Sequence, residues 1–147
     1  MPILMLEDED ERIARFSDCL KCLPVSMPLL HERTAQKFIS LYLEAIEAST
    51  ELELICLDHD LFVVNEGDPD PGDGRDVARF LAEHKPTCPI LIHSTNSAAA
   101  DSMLYTLLDA GWKADRIAPL GADWIESYWF PYMRTFLGLD KPKESDG

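Results

Sequence analysis

Two short stretches carry the side chains with the greatest chemical reach, Leu57-Asp58-His59-Asp60 and His93-Ser94-Thr95-Asn96. Each follows an apolar run of strand character, so two imidazoles and several carboxylates are expected at one edge of a sheet. Imidazoles titrate near neutral pH, and two in one cleft can divide the roles of general acid and general base. His59 stands between Asp58 and Asp60, which orient a ring and hold its proton to higher pH, so it is the expected acid. His93, beside the uncharged Ser94, is the expected base. Neighbouring strands lie about 4.8 Å apart, close enough for both histidines to contact one small anion. Ser94, Asn96 and the amides opening the next helix are expected to hold its oxygens. A third stretch, Leu6-Glu7-Asp8-Glu9, ends the first apolar run. Glu7 and Asp8 with Asp58 form a carboxylate set suited to a divalent metal, magnesium or manganese, bound through oxygen.

The elements that must position these groups alternate strand and helix, the pattern of βαβ units and a parallel sheet. Pro2 to Leu6 reads as the first strand, and Asp8 or Glu9 opens a helix with Ile13, Phe16, Leu20 and Leu23 at helical spacing until Pro24. A short second strand falls near Met27 to His31, and Thr34 is the expected N-cap of a helix striped by Phe38, Leu41, Tyr42 and Ala45. Leu52 to Leu57, almost wholly apolar, belongs in the sheet centre. Asn65 to Gly74 is rich in glycine, proline and acids and reads as a mobile loop beside the site, its Asp68, Asp70 and Asp73 being solvated turn residues. A third helix runs from about Arg75 to Lys85, a fourth strand from Cys88 to Ile92, and a fourth helix from about Ala98 to Ala110, closed by Gly111. A fifth strand near Arg116 to Leu120 precedes a final helix carrying Ile125, Tyr128, Trp129, Tyr132 and Phe136, which Pro131 kinks or divides. The expected fold is one α/β domain over 1–140, a doubly wound five-stranded parallel sheet of order 2-1-3-4-5, with a flexible tail over 141–147. Ligands of such sheets bind at the carboxyl ends of the strands.

Composition narrows the partners. A formal charge of −14 repels nucleic-acid backbones and anionic bilayers, which argues against duplex DNA and membrane surfaces. The start of the chain shows no basic and apolar targeting pattern, and no run reaches the roughly 18 apolar residues of a membrane span, so a cytoplasmic location is expected. Of the four cysteines, Cys19 and Cys22 form a C-x-x-C without a second ligand pair at finger spacing, and all read as reduced thiols. Trp112, Trp124 and Trp129 read as core or interface residues, and the final aromatic helix offers a face to a protein partner or a second copy of the chain.

The acidic pair after the first strand, the aspartate ending the third and the serine after the fourth resemble the receiver domains of two-component response regulators. By that resemblance Glu7, Asp8 and Asp58 bind magnesium, Asp58 accepts a phosphoryl group and Ser94 contacts it. Receivers end strand five in a lysine followed by proline, whereas this chain has Ala118-Pro119. The departures resemble a divergent branch, the cyclic-phosphate-processing receiver-like family, through Asp58-His59-Asp60-Leu61, His93-Ser94-Thr95-Asn96, Met103 and Gly74-Arg75-Asp76-Val77. That resemblance implies a metal-assisted phosphoesterase opening a cyclic phosphate on a nucleotide or RNA end, with His59, His93 and Asp60 catalytic and Ser94 and Asn96 on the substrate. The alternative expectation is a non-catalytic or phosphorylatable receiver-like interaction module.

Overall fold

The computed structural model describes residues 1–63 and 65–140, so the tail expected over 141–147 lies outside the described residues. Five short strands, β1 (Ile3–Leu6), β2 (Leu29–Glu32), β3 (Leu54–Leu57), β4 (Ile90–His93) and β5 (Ala114–Ile117), form one parallel sheet of order β2-β1-β3-β4-β5. The three central strands are buried along their whole length, as continuous apolar runs covered on both faces must be. The edge strands carry His31 and Glu32 on β2 and Asp115 and Arg116 on β5. Charge on an edge discourages further strand addition.

Side-chain alternation divides the core in two. Leu4, Leu6, Ile55, Leu57, Ile90 and Ile92 face α2 (Ala35–Glu47), α3 (Gly74–Ala82) and α4 (Ser97–Asp109), meeting Phe38, Tyr42, Val77, Leu81 and Met103. Ile3, Met5, Leu54, Cys56 and Leu91 face α1 (Asp10–Lys21) and the C-terminal segment, meeting Phe16, Leu20, Ile125, Trp129 and Met133. That segment is a π-helical turn over Ile125–Trp129 running into α5 (Phe130–Phe136), where Pro131 falls in the first turn, a position that needs no amide donor. Trp112, Trp124 and Trp129 are all core, while Tyr128 and Tyr132 face outward. Among the described residues no helix is long and apolar enough to cross a membrane.

Several boundaries shift for local reasons. β5 lies at Ala114–Ile117, starting two residues earlier than the expected Arg116–Leu120, because its pairing with β4 begins at Ile90 and Ala114, and Pro119 has no amide to extend it. α3 stops at Ala82, ahead of Pro86, with Glu83 as its C-cap. Thr34 caps α2 as expected, its hydroxyl accepting from Lys37 N at 3.2 Å. Ahead of the loop expected to be mobile, Asp8 Oδ2 accepts from Phe62 N at 2.7 Å, and within it Pro71 O accepts from Ala35 N at 2.8 Å. Asp73, expected as a solvated turn residue, is the N-cap of α3 in a reciprocal capping box with Asp76.

The entry into α3 depends on Gly74. A Cβ there would fall 2.2 Å from the Asp58 carbonyl oxygen and 2.7 Å from Met103 Cε. Backbone cannot yield as a flexible side chain does, so Gly74→Ala is expected to destabilise the fold by about 1–3 kcal/mol. Urea unfolding measures it, and an unchanged midpoint would show that α3 tolerates displacement from β3.

Candidate functional site

Register places the site. Leu6 pairs with Leu57 across β1 and β3, and Leu57 with Ile92 across β3 and β4. The next row is therefore Glu7, Asp58 and His93, and Asp58 N donates to Leu6 O at 3.0 Å to continue the ladder. Each lies two residues beyond a side chain of the α1-side core, Met5, Cys56 and Leu91, so all three share that face. They are buried, at 0%, 4% and 0% exposure. One ligand atom from each lies within 4.8 Å of the others, which makes the row a candidate metal-ligating cluster. Phe16 and Trp124 roof it, with ring centroids 5.3 and 5.8 Å from that of His93. At the same site, Arg12 Nη1 is 3.3 Å from Glu7 Oε1 and 3.9 Å from Asp58 Oδ2.

Burial governs the charge of this row. Desolvation, with the neighbouring Glu7 carboxylate adding to it, pushes Asp58 up to about 9 from an ordinary 3.8. Glu7 is also raised, by burial first, against the hydrogen bond with Asp58 and the Arg12 charge, which lower it. His93 is pushed down to about 3 by burial and then by Arg12, so its imidazole is neutral at physiological pH. Neither ring nitrogen of His93 has a hydrogen-bond partner among the described residues. Unpaired polar atoms in a core cost stability unless a ligand meets them. Two carboxylates and one neutral imidazole nitrogen suit a divalent cation, and the set fits one in both charge and donor type.

The neighbouring positions Asp8, His59 and Ser94 each stand one residue further along, and they take other partners. His59 turns toward the start of α3, with Nδ1 2.7 Å from Asp60 Oδ1 and Nε2 3.6 Å from Asp73 Oδ2. Asp8 binds the Phe62 amide rather than joining the cluster. Ser94 Oγ accepts from Asn96 N at 3.0 Å, and Asn96 Oδ1 caps α4 by accepting from Ala99 N at 3.1 Å. The two-histidine acid–base pair is therefore not formed. His93 sits under an aromatic roof with Glu7 and Asp58, and His59 is tied to Asp60 beside Asp73. Of the expected ligands, Glu7 and Asp58 meet; His93 completes the set in place of Asp8. Sequence reasoning missed His93 as a partner of the carboxylates and missed Arg12 altogether. Alternation from the last apolar residue of each strand was the available signal for His93. Arg12 had only its helical spacing from Glu9, to which its Nε comes within 3.2 Å.

A doubly wound five-stranded sheet with acids at the ends of β1 and β3 defines a receiver-type protein. Residues 3–109 match the family model of the cyclic-phosphate processing Receiver domain, and the chain belongs to that family. No curated protein matches it by sequence. Among solved structures it is similar to the phosphorylated cyanobacterial phytochrome response regulator RcpA, with a TM-score of 0.69 and 19% identity over 96% of this chain and 95% of that one. The Mn(2+)-bound form of response regulator Rcp1 gives 0.62 and 19% over 88% and 94%. The response regulator domain of Thermotoga maritima CheB gives 0.62 and 13% over 95% and 94%. These likenesses are to signalling receivers. Together with the single histidine in the cluster, they correct the expectation of a phosphoesterase and of a dedicated hydrolase.

The perturbed groups make stability depend on pH. The folded chain holds the Asp58 proton between an ordinary carboxylate value of 3.8 and about 9, where the unfolded chain has lost it, so stability falls as pH rises through that interval. His93 acts the other way between about 3 and 6.5, where the unfolded chain alone takes up a proton. Just above neutral pH the carboxylates set the slope, and toward pH 9 the thiols of Cys19, Cys56 and Cys88, which burial pushes up from an ordinary 9.0, add to it. With chelator present, urea unfolding is expected to show stability declining from about pH 7 to 9. Asp58→Asn should flatten that decline and gain at least ~1 kcal/mol near its upper end. An unaltered slope in the variant would remove Asp58 as its source.

Proposed function

We propose that the chain is a receiver-like interaction module, without turnover of its own, whose buried row of Glu7, Asp58 and His93 takes up one divalent cation. The row itself carries this reading: three ligand-capable side chains lie within 4.8 Å of one another, and the imidazole has no protein partner among the described residues. A turnover role is disfavoured because the imidazole is wholly buried beneath Phe16 and Trp124. The two carboxylates suit magnesium and manganese alike, and the one nitrogen ligand beside them favours a transition metal over magnesium, so manganese is the favoured of the two ions. The manganese-bound form of the similar regulator Rcp1 supports that choice. A bound ion would neutralise the two carboxylates and so remove their repulsion of a phosphate-containing ligand. The partner-facing surface is the outer side of the C-terminal segment, where exposed Tyr128, Tyr132 and Leu120 line a hollow of about 290 Å³ with Arg116 and Ile117. A protein partner or a second copy of the chain meets that side.

Isothermal calorimetry tests the cation. One manganese per chain is expected, bound more tightly than magnesium. Asp58→Asn should abolish binding, and His93→Gln should lower manganese affinity at least roughly tenfold, about 1.4 kcal/mol, while sparing magnesium. Equal binding in wild type and Asp58→Asn would place the ion elsewhere and end this reading. Cyclic nucleotides incubated with the manganese-loaded protein are expected to remain intact.

A further inference from the structure

Arg12 is the most exposed member of the charged set at this site. Its side chain is 24% exposed, against 0% for Glu7 and 6% for Asp58. Its guanidinium meets both carboxylates from α1 and lies 5.5 Å from the Trp124 ring centroid, a cation–π contact. Trp124 also packs on Phe16 and His93, so one indole is in contact with both the arginine and the cluster. We propose that Arg12 is a tethered cation that closes the Glu7–Asp58–His93 cluster and must withdraw when a divalent ion enters, so that Trp124 registers the exchange.

This inference rests on the cation-binding reading above and concerns how that site is regulated. Fully ionised, Glu7 and Asp58 carry two negative charges. A divalent ion matches them alone; the same ion with a guanidinium in hydrogen-bond range leaves an excess positive charge in a largely buried space. Like charges at that separation repel strongly where water is scarce. Arg12 has a second station ready, because its Nε already lies 3.2 Å from Glu9 Oε2, on a carboxylate half exposed to solvent. Withdrawal toward Glu9 keeps a charge partner while vacating Glu7 and Asp58. It also strips the guanidinium from Trp124, the N-cap of the π-helical turn that opens the C-terminal segment. The neighbouring Arg15 does not substitute, since it is held by Glu126 and by the Ala122 carbonyl.

The test uses manganese in calorimetry and magnesium, which does not quench fluorescence paramagnetically, in tryptophan emission. Arg12→Gln is expected to tighten manganese binding at least fivefold, and Arg12→Lys, which keeps the charge, to stay within about twofold of wild type. Saturating magnesium should shift the emission of wild type and leave Arg12→Gln nearly unmoved; Trp124→Phe, lacking the reporter, should lose the shift as well. Circular dichroism confirms that the variants are folded. Equal or weaker manganese binding by Arg12→Gln overturns the inference while leaving the cation site standing. Binding by Arg12→Gln but not by wild type upholds the closure and overturns the proposed function of the unaltered chain. Binding by neither overturns both.

Discussion

The hydrogen bond from Asp58 N to Leu6 O carries the β1–β3 ladder one residue past the last apolar pair. Without that extra rung, Glu7 and Asp58 would splay into solvent as two ordinary surface acids. With it, they are held side by side under Phe16 and Trp124, and desolvation makes them weak acids. The same row extends to His93 on β4, so a single line of backbone pairing decides which groups meet and what charge they carry. Arg12 is drawn in because the paired carboxylates leave a deficit of positive charge that α1, crossing above them, can fill.

Such a row is expensive in a domain whose net stability is the small remainder of large opposing contributions. The two hydrophobic layers offset it. On the α1 side, Phe16, Trp129 and Met133 form an apolar wall against which the cluster is sealed. On the other side, the close seat of α3 on β3, made feasible by Gly74, clamps the backbone that carries Asp58 and His59. The site is thus strained electrostatically and supported mechanically, and any ligand that supplies positive charge to it relieves the first without disturbing the second.

Much of this architecture was legible in the residues. Three almost uninterrupted apolar runs announced the central strands, and their alternation with amphipathic stretches led to the observed strand order. β5 was placed too late because Ala114-Asp115-Arg116-Ile117 is half polar, an edge strand without an apolar run to mark it. The expected site lay at the ends of β1, β3 and β4, where the candidate cluster of Glu7, Asp58 and His93 is found, but its members were grouped by adjacency in the chain. Asp58, His59 and Asp60 look like one unit when written in a line. On a pleated strand successive side chains leave on opposite faces, so His59 departs toward α3 while Asp58 stays with Glu7 and His93. Arg12 was not readable at all, because its reach depends on how α1 crosses the sheet and on where Trp124 arrives, both set by tertiary packing.

The roof has a bearing on the order of events during synthesis. In synthesis Glu7, Asp58 and His93 are made in that order, and Trp124, Ile125 and Trp129 come only after β5. Domains generally consolidate as units once their sequence is available. Until the roof emerges, Glu7 and Asp58 stay hydrated and keep the acidity of ordinary carboxylates. Closure of the last segment then takes water away from the row, so the weak acidity of Glu7 and Asp58 is acquired only when Trp124 meets Phe16 above it.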